Sequence, residues 1–237
     1  MEAWIELVRG PLFRVSLAVC VLGLGYRVAV AVAHIVGGWR RAGDRDLPLR
    51  AVTSATLSWL FPSGLLRSRP FYSAASFLFH VGIVLLPLFL AGHLVLLEPW
   101  LPAWLLALWP RLPANLADLL SLLTIAMLAF LLLARVATPM ARSLSRGQDH
   151  LILGVLLALL VFGFFAAHPE SSPADARLML LLHVLLGDLA LVLAPVSKIA
   201  HCVVFPLTQL VFQVGWHFPA ETGRHVAIAL AKENEPV

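Results

Sequence analysis

The stretch from Leu181 to His201 reads LLHVLLGDLALVLAPVSKIAH. Most of it is apolar enough to sit in lipid. Yet His183 and His201 stand at its two ends, Asp188 follows the first and Lys198 precedes the second. Ionisable residues at membrane depth are costly, and by default they mark a functional site. Eighteen residues separate the two histidines. At about 100° per residue that is five full turns, so on a straight helix both imidazoles share one face, about 27 Å apart along the axis. That spacing stacks two sites across one bilayer.

The rest of the chain has the same character. Of its 237 residues, 60% are hydrophobic and only 13% charged, where a soluble domain carries about 25% charged residues. Mean hydropathy is +0.90. A helix needs about 20 apolar residues to cross the hydrocarbon. Five runs qualify: 11–35, 71–97, 114–137, 151–167 and 178–211. The expected fold is an all-α integral membrane bundle of five helices, with a polar tail over 214–237. The first run has no basic n-region before it and no small-residue cleavage site, so it reads as a retained span.

Arginine is distributed unevenly. The connection after the first span holds Arg40, Arg41, Arg45, Arg50, Arg67 and Arg69, and the one after the third holds Arg142 and Arg146. The other two connections hold Arg111 and Arg177 alone. Lys and Arg favour the cytoplasmic side, which puts the N-terminus outside and the C-terminus inside. The net charge of +4 is read as this bias and not as a nucleic-acid footprint. Within the first connection, PLRAVTSATLSWLF suggests a short amphipathic helix on the membrane surface or under a partner. Trp100, Trp104 and Trp109 suit an interfacial position. Cys20 and Cys202 form no CxxC or CxxCH motif, which excludes an iron–sulfur or zinc framework and a covalently attached haem.

Nine histidines occur. His34, His150 and His168 fall at span ends, and His217 and His225 in the tail, where imidazole is cheap. His80 and His93 lie inside span two, as His183 and His201 lie inside span five. Antiparallel spans would pair His93 with His183 near the outer face and His80 with His201 near the inner face. Facing imidazoles on two helices suit axial ligation of a haem iron. Zinc fits less well, because each pair lacks third and fourth protein ligands. His80 and His93 are thirteen residues apart, which is about 140° out of register on an ideal helix. A kink at Pro87 would restore the alignment.

FHVGIVLLPLFLAGH in span two and HVLLGDLALVLAPVSKIAH in span five resemble the gamma subunit of respiratory nitrate reductases and its wider family of dihaem b-type membrane cytochromes. His183, Gly187, Pro195, Lys198 and His201 match the family's spacing in its fifth helix, and Phe79 to Ile83 with Gly92 and His93 match its second. The interval between the span-two histidines is longer than in the nitrate reductase branch. It is similar to that of relatives in sulfur-metabolism complexes, which sit beside heterodisulfide-reductase-like iron–sulfur subunits. The resemblance implies two haem b groups, held by His93/His183 and His80/His201. It implies quinol oxidation near the outer haem and electron delivery to an iron–sulfur partner on the cytoplasmic side. The setting would be a bacterial or archaeal cytoplasmic membrane.

Other residues carry weaker signals. Lys198 and Arg27 could pair with haem propionates or snorkel to lipid headgroups. Asp188 could relay protons, support a ligand histidine or bond a neighbouring helix. Glu98, Arg111, Asp118 and His168 are candidates for the quinol site, which needs a proton acceptor. Gly92 and Gly187 could admit a haem close to the backbone. Two alternatives remain: a haem-free membrane anchor or scaffold, and a transporter using histidines as proton relays. The latter lacks the repeats and broken-helix signatures of its class.

Overall fold

The computed structural model describes residues 1–41, 50, 53, 54, 57, 58, 63–215, 222–232 and 234. Most of the amphipathic segment expected within 48–61, and the tail over 216–221, lie outside the described residues.

The described residues form helices and no strand. Among the described residues, five helices are long and apolar enough to cross a membrane, so this is a multi-pass membrane protein. We label the elements α1 (Glu2–Arg41), α2 (Pro70–Phe89), α3 (Ala91–Leu94), α4 (Ala103–Leu108), α5 (Ala114–Ala137), α6 (Gly147–Ala167), α7 (Ala176–Leu193) and α8 (His201–Gly215). The chain divides into two compact units, 1–20 with 64–193, and 21–63 with 194–237.

In the first unit, α5 packs against α2 and α6, and α6 packs against α7. The core joins Ala75 and Phe79 of α2 to Leu128 and Leu131 of α5. Leu153, Leu156 and Leu160 of α6 pack against that cluster. Lipid tails are as apolar as leucine, so close packing, not water exclusion, holds such helices together. Gly82 illustrates this, because the Thr124 side chain occupies the space a Cβ would need. Many leucines instead face outward, among them Leu119, Leu122 and Leu133, as a lipid-facing surface requires.

Span two is not one bent helix. Pro87 has no N–H to give to the carbonyl one turn back, yet α2 continues to Phe89. The chain then opens at Leu90, which is extended at φ −74° and ψ 127°, and restarts as α3. Two carbonyls bared at this break find donors, as a dry interior favours. Trp109 Nε1 donates to Leu88 O at 2.9 Å, and the Leu112 N–H donates to Phe89 O at 2.9 Å. The loop before α5 thus seals the end of α2. At the opposite ends of α5 and α6, Asp149 accepts the Arg146 N–H at 2.9 Å and lies 3.8 Å from Arg135 Nη1. A carboxylate at a helix N-terminus caps its open donors and complements its dipole.

Span five is also interrupted. α7 ends at Leu193, two 3₁₀ turns cover Ala194–Val196 and Lys198–Ala200, and α8 begins at His201. Ser197 between the turns is extended, and its Oγ accepts the Ile199 N–H at 3.2 Å. Pro195 cannot donate to the turn before it, so the α-helical ladder stops there. The straight helix expected over 178–211, and the five-turn arithmetic built on it, therefore do not hold. Within the second unit, Pro195 packs on Gly23, and Arg27 Nε donates to the Pro195 carbonyl at 2.9 Å. Arg27 satisfies a carbonyl exposed by the interruption.

Candidate functional site

Two of the four span histidines meet in the first unit. His93 comes from α3, beyond the break at Leu90, and His183 from the second turn of α7. Their rings are nearly parallel, 17° apart, with centroids separated by 5.8 Å. The break accounts for the register. The thirteen-residue interval is not wound on one helix, so straight-helix arithmetic does not govern where His93 points.

Each ring is held by its Nδ1. His93 Nδ1 donates to the Leu86 carbonyl at 3.1 Å. His183 Nδ1 donates across to the Leu159 carbonyl of α6 at 2.9 Å. A carbonyl can only accept, so Nδ1 carries the proton and Nε2 is left with its lone pair. That is the tautomer of a metal ligand, oriented by a carbonyl behind it. One further residue fixes His183. A Cβ on Gly163 would come within 2.6 Å of the ring's Nδ1, so α6 admits the imidazole only because residue 163 has no side chain. Leu159 and Gly163, one turn apart, form its seat.

Both rings are half-buried. Among the described residues, no group of three or more His, Cys, Asp or Glu could hold a metal ion. The pair offers two nitrogen ligands and no more, so it suits an ion whose other ligands come from elsewhere.

The remaining histidines are placed differently. His80 is exposed on α2, with Nδ1 donating to Ser76 O of its own helix at 2.7 Å. His201 is exposed in the second unit, with Nδ1 donating to Lys198 O at 2.7 Å. Lys198 is itself exposed. His80 belongs to the first unit.

Of the four quinol-site candidates, two come together. His168 Nε2 lies 3.4 Å from Asp118 Oδ1, while Glu98 and Arg111 are exposed and take no part in that contact. His168 Nδ1 donates to Phe164 O at 2.9 Å, and the two rings stack at 4.2 Å. The Phe164 carbonyl and the Asp118 carboxylate both favour the doubly protonated ring, and the pKa of His168 is raised.

Asp188 is buried, at 4% exposure, and neither carboxyl oxygen has a hydrogen-bond partner among the described residues. A Cβ on Gly187 would meet Leu159 Cδ1 at 3.7 Å, an ordinary contact, and a Cβ on Gly92 would meet open space. Sequence reasoning singled out His93, His183, Asp118 and His168. It missed Leu159, Gly163 and Trp109 as supports, because a backbone carbonyl, an absent side chain and an indole N–H leave no pattern of spacing.

No family model matches the chain, and no solved structure matches it. A protein of Nitratidesulfovibrio vulgaris (strain Hildenborough), designated only "Protein", is 36% identical over 221 residues, covering 90% of this chain and 93% of the relative. At that identity and coverage, the chain belongs to the same family as this Nitratidesulfovibrio protein.

Proposed function

We propose that the chain is a b-type cytochrome subunit with two haems, moving electrons between membrane quinol and an iron–sulfur partner on the cytoplasmic side. The observation that carries this reading is the His93/His183 pair. An imidazole nitrogen binds a transition metal at about 2 Å, which puts the centres of two rings sharing one ion about 6 Å apart. The observed 5.8 Å, with near-parallel planes, fits. Both Nδ1 atoms are occupied by carbonyls, so each Nε2 is free to bind iron. A porphyrin supplies the four nitrogens that the protein does not.

His93 and His183 would hold the outer haem, and His80 and His201 the inner one, with Lys198 beside a propionate. The second pair rests on the sequence motif of span five and on the family resemblance. A bound haem supplies a one-electron acceptor at membrane depth. The chain's own residues fix the ligand rings through the Leu86 and Leu159 carbonyls. The N-terminus is placed outside by the arginine distribution, in a bacterial or archaeal cytoplasmic membrane.

The test is a reduced-minus-oxidised optical spectrum with pyridine haemochrome quantitation. About two haem b per chain is expected. His93→Ala and His183→Ala should each remove the same spectral component. A folded chain without haem would overturn the proposal and favour a haem-free anchor.

A further inference from the structure

Resting on that reading, we infer that Asp118 is the proton acceptor of a lipophilic hydroquinone, entering from the bilayer, and that His168 is its positioning residue. The argument begins with placement. Asp118 lies in the second turn of α5, and His168 caps the C-terminal end of α6. His93 follows the end of α2, and His183 lies in the second turn of α7. In these packed helices all four gather at one end of the first unit. On α6, the His183 ring rests on Gly163, and the next residue, Phe164, bonds and stacks His168. One turn of one helix therefore joins the ligand histidine to the Asp118–His168 contact.

Chemistry then separates the two roles. His168 has both ring nitrogens engaged, Nδ1 with Phe164 O and Nε2 with Asp118 Oδ1. Neither ring nitrogen is turned toward a ligand, so His168 is not placed to take a ligand's proton directly. Asp118 has its second oxygen, Oδ2, without a hydrogen-bond partner among the described residues, and its side chain is 46% exposed. The acidic groups acting on His168 are Asp118 from α5 and Glu170 from the turn after α6. Both favour the imidazolium, and the His168 contact fixes the direction of the Asp118 carboxylate.

The approach is lipid-lined. Leu116, Leu119 and Leu122 on α5 are all exposed, so the helix that carries the carboxylate presents hydrocarbon beside it. A ligand meeting both features is apolar in body, aromatic enough to lie against leucine, and carries a hydroxyl proton to give. A membrane hydroquinone has that chemistry.

The step balances as follows. A quinol hydroxyl donates its hydrogen bond to Asp118 Oδ2. Its O–H bond would break, the proton would pass to Asp118 Oδ2, and one electron would leave the ring for the one-electron acceptor that a haem on His93 and His183 would supply. The exposed carboxyl releases the proton to water. Once that acceptor had passed its electron toward the proposed iron–sulfur partner and the carboxyl had released its proton, a second round would remove the remaining proton and electron and leave a quinone with two C=O bonds.

The experiment uses the full chain in lipid nanodiscs, with Asp118→Asn and His168→Gln variants. Two readouts are taken. The first is the rate of haem reduction by short-chain benzoquinols and naphthoquinols, against reduction by dithionite as a control for haem content. Asp118→Asn should slow quinol-driven reduction at least tenfold while dithionite reduction is unchanged. His168→Gln should move the pH midpoint of the quinol rate, which a packing role alone would not do. The second readout is fluorescence titration with a hydroxyquinoline N-oxide, a quinol analogue, and it needs no haem. Asp118→Asn should bind it at least tenfold more weakly. Wild-type quinol rates and wild-type analogue binding in Asp118→Asn would overturn the inference. Absence of haem from the unmodified chain would overturn the cytochrome reading alone, and the titration would still decide the role of Asp118.

Discussion

His183 and His80 are both histidines on apolar helices, and the structure treats them in opposite ways. His183 is half-buried, bonds a carbonyl of a different helix and rests on a glycine reserved for it. His80 is exposed and bonds a carbonyl four residues back on its own helix. The first arrangement needs three residues on two helices to agree. The second needs only a helix. The chain alone therefore pre-forms the site at His93 and His183, whereas the Nδ1 bond of His80 is local to its own helix. Pre-organised ligands lose little freedom when a cofactor binds, so the two haems of the proposed cytochrome should differ in how firmly the protein retains them.

The largest effect should come from filling the seat. Gly163→Val places a branched side chain where the His183 ring lies, since even a Cβ there comes within 2.6 Å of Nδ1. The ring cannot stay, and its bond to Leu159 O is lost with it. We expect loss of one of the two haems in the optical spectrum, with the other retained, and a stability cost of about 1–3 kcal/mol for the overpacking. Retention of both haems in Gly163→Val would mean that His183 is not a ligand and that the contrast with His80 has no functional content.

The same contrast explains what was legible in the sequence. Five spans were visible because hydropathy is a property of composition, and the described residues hold five such helices. His93 and His183 were visible because an imidazole in an apolar run is conspicuous. The breaks were half-visible. Pro87 and Pro195 announce that a helical hydrogen bond is missing, but not whether the helix bends or stops. That outcome depends on remote donors. Trp109 and the Leu112 N–H stabilise the end at Phe89, and Arg27 bonds the Pro195 carbonyl. Periodicity over a straight span five misled for this reason. The seat at Leu159 and Gly163 was invisible, because its signal is one main-chain oxygen and one missing side chain on another helix.

A smaller effect sharpens the comparison without any cofactor. In chain purified free of haem, His183→Ala removes an interhelical hydrogen bond, which in membrane proteins is worth about 0.6–2 kcal/mol. His80→Ala removes a bond within one helix from an exposed side chain and should cost less than His183→Ala. Denaturation in mixed micelles, followed by tryptophan fluorescence, would separate the two. Equal losses would show that the His183 ring is no better anchored than that of His80.

The smallest effect concerns the tie between α5 and α6 at the end that carries the pair. His168 bonds Phe164 O and faces Asp118 Oδ1 at 3.4 Å, and both contacts favour the imidazolium, so its pKa in the folded protein is raised. A group with a raised folded value stabilises the fold fully below its unfolded value, about 6.5, and that contribution fades as pH climbs through the folded value. Partial exposure to water screens the pair, so the change should be modest. Thermal unfolding in nanodiscs should show Tm falling slightly as pH rises from about 6.5, with the slope flattened in His168→Gln. Asp118→Asn should flatten it less, because the Phe164 carbonyl, the stronger of the two influences, remains. An unchanged slope in His168→Gln would place the pH dependence in another group and leave the α5–α6 tie resting on packing alone.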